Sequence, residues 1–80
     1  MPVFLLHHRH DPAECDAAYA AWHGFDSPLR HRLVASTCLA GGHELWWRVQ
    51  APDPHRALAL VPPYVAERTE PIAVRDVEIP

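Results

Sequence analysis

The stretch Leu33-Val34-Ala35-Ser36-Thr37-Cys38-Leu39-Ala40-Gly41-Gly42-His43-Glu44-Leu45-Trp46-Trp47-Arg48-Val49-Gln50 decides the fold. Leu33 to Leu39 has the β-branched and apolar content of a strand, and His43 to Gln50 reads as a second one. Between them Gly41-Gly42 supplies the positive φ that tight hairpins require, so the two strands are expected to pair antiparallel. Trp46 and Trp47 are adjacent in the second of these strands and therefore point to opposite faces of the sheet. Two large aromatic side chains on opposite faces imply a sheet that needs cover on both sides.

Upstream, residues 3 to 10 read as a strand, because Val3-Phe4-Leu5-Leu6 favours the pleated surface and Asp11-Pro12 stops it. The same Asp11-Pro12 pair opens a helix. Asp11 can cap it, Pro12 falls at the first helical position, and Glu14 stands three residues after the cap as in a capping box. Cys15, Tyr19 and Trp22 recur at helical spacing and Gly24 is a stop signal. Phe25 to Arg32, with Pro28 inside it, is a loop.

Downstream, Asp53-Pro54 repeats the cap-plus-proline signal, and the helix it opens through Arg56, Leu58 and Leu60 should break near Pro62-Pro63. Pro63 to Glu67 adds a possible further turn. Ile72 to Ile79 closes the chain as a strand whose apolar positions change phase between Val74 and Val77, a mark of a bulge or an edge. The expected order is strand, helix, strand, strand, helix, strand, so residues 1–80 form one α+β domain of ferredoxin-like βαββαβ order: a four-stranded antiparallel sheet with two helices on one face.

This order, the Asp-Pro helix starts, the Gly41-Gly42 hairpin and the strand-forming tail resemble the small dimeric α+β barrel proteins. That superfamily includes cofactor-free monooxygenases, muconolactone-type isomerases and small nickel-binding proteins. The resemblance is one of topology over the whole chain, and it carries over no functional residue. It implies a homodimer or higher homo-oligomer. Composition points the same way: a chain of 80 residues buries only about 60% of its unfolded surface, yet 49% of this one is hydrophobic.

Charge excludes one class of function. The net charge is −3 and the seven basic residues, all arginine, are scattered from Arg9 to Arg75, so the electrostatic footprint of a nucleic-acid binder is missing. The opening apolar run is four residues long and meets His7-His8-Arg9-His10, which suits neither a leader peptide nor a membrane span. Cys15 and Cys38 form no CxxC pair and read as reduced thiols. A soluble cytoplasmic protein is expected, with no nucleic-acid or membrane partner.

Seven histidines in 80 residues are the compositional oddity. His8 and His10 share one face of the first strand, about 6 to 7 Å apart by strand rise, while His7 and Arg9 point the other way. In a ferredoxin-like sheet the end of the first strand meets the start of the third, bringing His43 and Glu44 to the same end, with the end of the second strand, including Cys38, on the far side of the third. Imidazole is the commonest side-chain ligand of zinc, copper and nickel, so His8, His10, His43, Glu44 and Cys38 define a candidate transition-metal site. The same residues support a second reading, in which His8 or His10 is a general base beside a pocket lined by tryptophans and Tyr64. Glu44 or Asp11 would then orient the base, in a cofactor-free isomerase or monooxygenase acting on a small aromatic or polyketide-like substrate. A third reading makes the histidines a polar rim on a structural or regulatory subunit.

Overall fold

Phe4, Leu6 and His8 are buried and alternate with half-exposed Val3, Leu5 and His7; this period of two is the first strand, β1 (Val3–Arg9), of the computed structural model, which describes residues 1–80. The same alternation buries Leu45, Trp47 and Val49 of β3 (Glu44–Gln50). β1 and β3 pair antiparallel with Leu6 opposite Trp47, His8 opposite Leu45 and Arg9 opposite Glu44. The sheet has four antiparallel strands in the order β2-β3-β1-β4, where β2 is Ala35–Ser36 and β4 is Thr69–Val74.

The helices are short. Pro12–Glu14 form a 3-10 turn and α1 follows over Cys15–Ala20. The Glu14 carboxylate accepts the backbone N–H of Asp11 at 2.9 Å, the half of a capping box that the sequence signalled. The helix expected to reach Gly24 loses α geometry after Ala20 and tightens into turns that end at Gly24, whose φ of 74° only glycine adopts freely. α2 (Pro54–Leu58) begins where Asp53 accepts the N–H of Arg56 at 2.7 Å, and α3 (Pro63–Ala66) starts after the predicted break at Pro62-Pro63.

Phe4, Leu6, Leu45, Trp47 and Val49 form one hydrophobic cluster with Ala57, Val61 and Val65 from the α2–α3 segment, and Trp22 and Leu29 pack against it. His8 and His10 belong to this helix-covered side, where they are 1% and 3% exposed. The opposite side carries half-exposed Val3, Leu5, His7, Trp46, Ile72 and Val74, with the His7 and Trp46 rings stacked at 5.1 Å.

Two strand expectations are corrected. Only Ala35 and Ser36 of the 33–39 run pair with β3; Leu33 and Leu39 are fully exposed. The cause is local: the Ser36 hydroxyl accepts the Cys38 N–H at 3.1 Å and Thr37 bonds both ways to the far limb of the turn, so the chain leaves the ladder early. At the other end, β4 starts at Thr69 and stops at Val74 rather than running from Ile72 to Ile79. It pairs with β1 alone and is an edge strand, the position that tolerates Pro71.

The Gly41-Gly42 turn is needed at both positions for different reasons. Gly41 has a φ of 86°, whereas a Cβ on Gly42 would collide with the hydroxyl and Cβ of Thr37. Thr37 must come this close because its N–H donates to the Glu44 carbonyl, its carbonyl accepts the Gly42 N–H, and its hydroxyl accepts the Glu44 N–H. His43 follows with a φ of 53°, in the left-handed region that histidine visits more readily than most residues.

Candidate metal centre

The β1–β3 ladder continues one step beyond the strands: the His10 N–H donates to the His43 carbonyl at 3.2 Å. Residues opposite one another in an antiparallel pair share a face. His10 and His43 therefore project to the same side, with ring centroids 5.4 Å apart. Asp11-Pro12 then turns the chain so tightly that the first residue of α1, Cys15, comes back over the end of β1. One ligand atom from each of His10, Cys15 and His43 lies within 4.8 Å of both others.

Two ring nitrogens in this group have no partner. His10 Nε2 and His43 Nδ1 are both buried and form no hydrogen bond, and they are the only buried side-chain nitrogens or oxygens in the chain left so. Each leaves a desolvated polar atom unsatisfied, a condition that costs about 1–3 kcal/mol. The other nitrogen of His10 is engaged: Nδ1 lies 2.9 Å from His8 Nε2, and His8 Nδ1 lies 3.3 Å from the Val65 carbonyl and 3.1 Å from Thr69 Oγ1. Burial, followed by the charge His10 would carry, holds His8 below the ordinary histidine pKa. Burial and the neighbouring His43 do the same to His10. Both shifts favour the neutral imidazole.

Cys15 is held from behind by Glu14. One Glu14 oxygen caps Asp11; the other accepts from Arg68 Nε at 2.8 Å and from the Tyr64 hydroxyl at 3.4 Å. The Arg68 guanidinium lies 3.8 Å over the Tyr64 ring and donates to the Tyr64 carbonyl. Arg68, by its hydrogen bond first, holds the Glu14 carboxyl below its usual range. The Pro12–Glu14 turn that leads into α1 at Cys15 is thus tied to Tyr64 of α3 and to Arg68 just after it.

No protein-family model, curated protein sequence or solved structure matches this chain. The residues themselves carry the functional argument.

Of the five residues proposed from sequence, the structure brings His10 and His43 together and adds Cys15. His8 stands behind His10, with neither of its nitrogens facing Cys15 or His43 unengaged. Glu44, next to His43 in the chain, points to the other side of the sheet, where it binds His7 at 2.7 Å and Arg9 at 3.0 Å; Arg9 first and then His7 hold its carboxyl low. Cys38 lies in the 3-10 turn Cys38–Ala40, where its sulfur accepts the Tyr19 hydroxyl at 3.5 Å. That bond, with burial, pushes the Tyr19 phenol up to about 12. Cys15 had one sequence signal: a turn capped by Asp11, directly after His10, returns the residue four positions beyond the cap toward the strand end.

A tryptophan-lined pocket of about 240 Å³ is bounded by Tyr19, Trp22 and Trp47 with Arg30 and Arg32, but neither His8 nor His10 lines it; the space those two do line measures about 10 Å³, too small for a substrate. Tyr64 is not part of it, being committed to Glu14 and Arg68. Asp11 and Glu44 make no hydrogen bond to His8 or His10.

Proposed function

We propose that this protein binds a transition-metal ion through His10, Cys15 and His43. The observation that carries the reading is the grouping of one thiol with two imidazoles, each of which has a buried ring nitrogen without a hydrogen-bond partner. Zinc bonds of about 2.0–2.3 Å set donor atoms roughly 3.3–3.8 Å apart in a tetrahedral site, so a group within 4.8 Å closes by about 1 Å of side-chain movement. Two neutral imidazoles and one thiolate suit a borderline or soft d10 ion, zinc(II) or copper(I), better than nickel. Three protein donors leave a position open for a fourth ligand.

The ferredoxin-like assignment and a homodimer belong to the same proposal. The order β2-β3-β1-β4, with the two seven-residue strands central, supports the first. The half-exposed apolar side chains around Trp46 on the helix-free face support the second. With the histidine pair under the helices, the metal group is complete within one chain. A free thiol ligand suits the reducing cytoplasm.

The test is calorimetric titration of chelator-treated, tag-free protein with zinc under reducing conditions. One equivalent bound per chain, lost in Cys15→Ser and in His43→Ala, is expected. No stoichiometric binding, or binding indifferent to both changes, contradicts the reading and favours a structural role.

A further inference from the structure

We infer that His8 is a positioning residue that locks His10 in the tautomer protonated at Nδ1, so that His10 Nε2 is a bare lone pair before any metal arrives. The value of that lock to metal binding rests on the function proposed above; the lock itself does not.

The Thr69 hydroxyl, the Val65 carbonyl, His8 and His10 form a hydrogen-bonded chain of four groups whose protons can be counted. It starts at Thr69, whose hydroxyl donates to the Val65 carbonyl at 2.6 Å. Two oxygens that close need a hydrogen between them, and a carbonyl has none to give, so the hydroxyl proton is committed there. His8 Nδ1 then faces two groups that can only accept, the Val65 carbonyl at 3.3 Å and the lone pair of Thr69 Oγ1 at 3.1 Å. Nδ1 must carry the hydrogen. A neutral imidazole has one N–H, so His8 Nε2 is bare and accepts. Its partner at 2.9 Å, His10 Nδ1, must donate. His10 is neutral as well, and its single hydrogen is now used. Nε2, the nitrogen left without a partner, is deprotonated.

The reverse tautomers fail at the first step, because a bare His8 Nδ1 would set a lone pair against the Val65 carbonyl with the Thr69 proton already engaged. Both rings lie inside the protein, 1% and 3% exposed, and no carboxylate is hydrogen-bonded to either, so a second proton on the relay would be a buried charge without a counter-ion. The arrangement is the buried-histidine counterpart of the carboxylate or carbonyl that commonly orients a metal-binding imidazole. A neutral partner in place of a carboxylate adds no charge to the site.

A glutamine can imitate the relay, its amide N–H reaching Val65 and its carbonyl accepting from His10; a leucine fills space and does neither. Two-bond 1H–15N correlation of metal-free, 15N-histidine-labelled protein is expected to find Nδ1 protonated and Nε2 bare in both His8 and His10. In zinc titrations His8→Leu should bind about 10–100-fold more weakly than the parent, while His8→Gln should recover most of that loss. A His10 protonated at Nε2 in the metal-free protein overturns the inference, as does a folded His8→Leu variant with unchanged zinc affinity. If the parent takes up no zinc while His10 has the expected tautomer, the metal reading falls and the lock stands.

Discussion

His8 Nε2 and His10 Nδ1, two residues apart on one face of β1, meet at 2.9 Å inside the protein, with the rings tilted 48° to one another. Strand geometry alone would hold these side chains about 6–7 Å apart; the approach is the work of the bonds at either end. Val65 and Thr69 fix the inner ring, and the turn at Asp11 releases the outer one toward Cys15 and His43.

The pair makes folding sensitive to acid. Both histidines are held below the ordinary value of 6.5 by burial and by their neighbours, so the unfolded chain takes up protons that the folded one refuses. Their contribution is complete above pH 6.5 and is lost as pH falls below it, with a slope of up to about 1.4 kcal/mol per pH unit for each histidine. Urea denaturation of the metal-free protein should give a lower midpoint at pH 5.5 than at pH 7.5, and His8→Gln should flatten the difference. An unchanged midpoint would mean that the two rings are open to water.

Arg68 and Glu14 act on the site without touching it. Removing the guanidinium in Arg68→Ala leaves the Pro12–Glu14 turn untied, with only a small loss of stability expected for a solvent-screened pair. The larger effect should appear in zinc affinity, because Cys15 is the next residue after Glu14. Thermal melts and zinc titrations of the same variant separate the two; affinity equal to the parent would show that α1 positions its sulfur without α3.

The turn tests the contribution of His43. Gly42→Ala forces Thr37 and Gly42 apart, and a cost of about 1–3 kcal/mol is expected for crowding of this kind. Thr37 also anchors Glu44, so the register that sets His43 opposite His10 should loosen, lowering zinc affinity along with stability. Thr37→Ser with Gly42→Ala, which removes one methyl group and keeps the hydroxyl, should recover little, because the hydroxyl itself lies in the way.

On the helix-free face, Trp46, Leu5 and Ile72 predict a second copy. Light scattering at micromolar concentration should give twice the chain mass, and Leu5→Arg should give one. A parent protein of single-chain mass contradicts the dimer, and leaves His7 stacked on Trp46 as that face's own cover.

Much of this was legible in sequence. Adjacent tryptophans in one strand predicted one on each face of the sheet, and strand order alone put His10 and His43 at one end of a β1–β3 pair. Glu44 was grouped with His43 although neighbours in a strand point apart; the ladder, not proximity in the chain, decides which of the two faces His10. The short β2 was hidden because Leu33 and Leu39 read as strand residues, while the bonds of Ser36 and Thr37 that end the strand depend on where the turn falls. Cys15 is not among the candidate ligands read from sequence, since its spacing with Tyr19 and Trp22 fits a helical stripe as well as it fits a ligand.

The central claim is that Cys15 completes a metal site with His10 and His43. Anaerobic titration of the chelator-treated protein with cobalt(II), a spectroscopic stand-in for zinc, tests it most directly. A thiolate-to-cobalt charge-transfer band that saturates at one equivalent per chain, persists in Cys38→Ser and vanishes in Cys15→Ser is the predicted result. A band that survives Cys15→Ser, or no band at any cobalt concentration, would contradict the account.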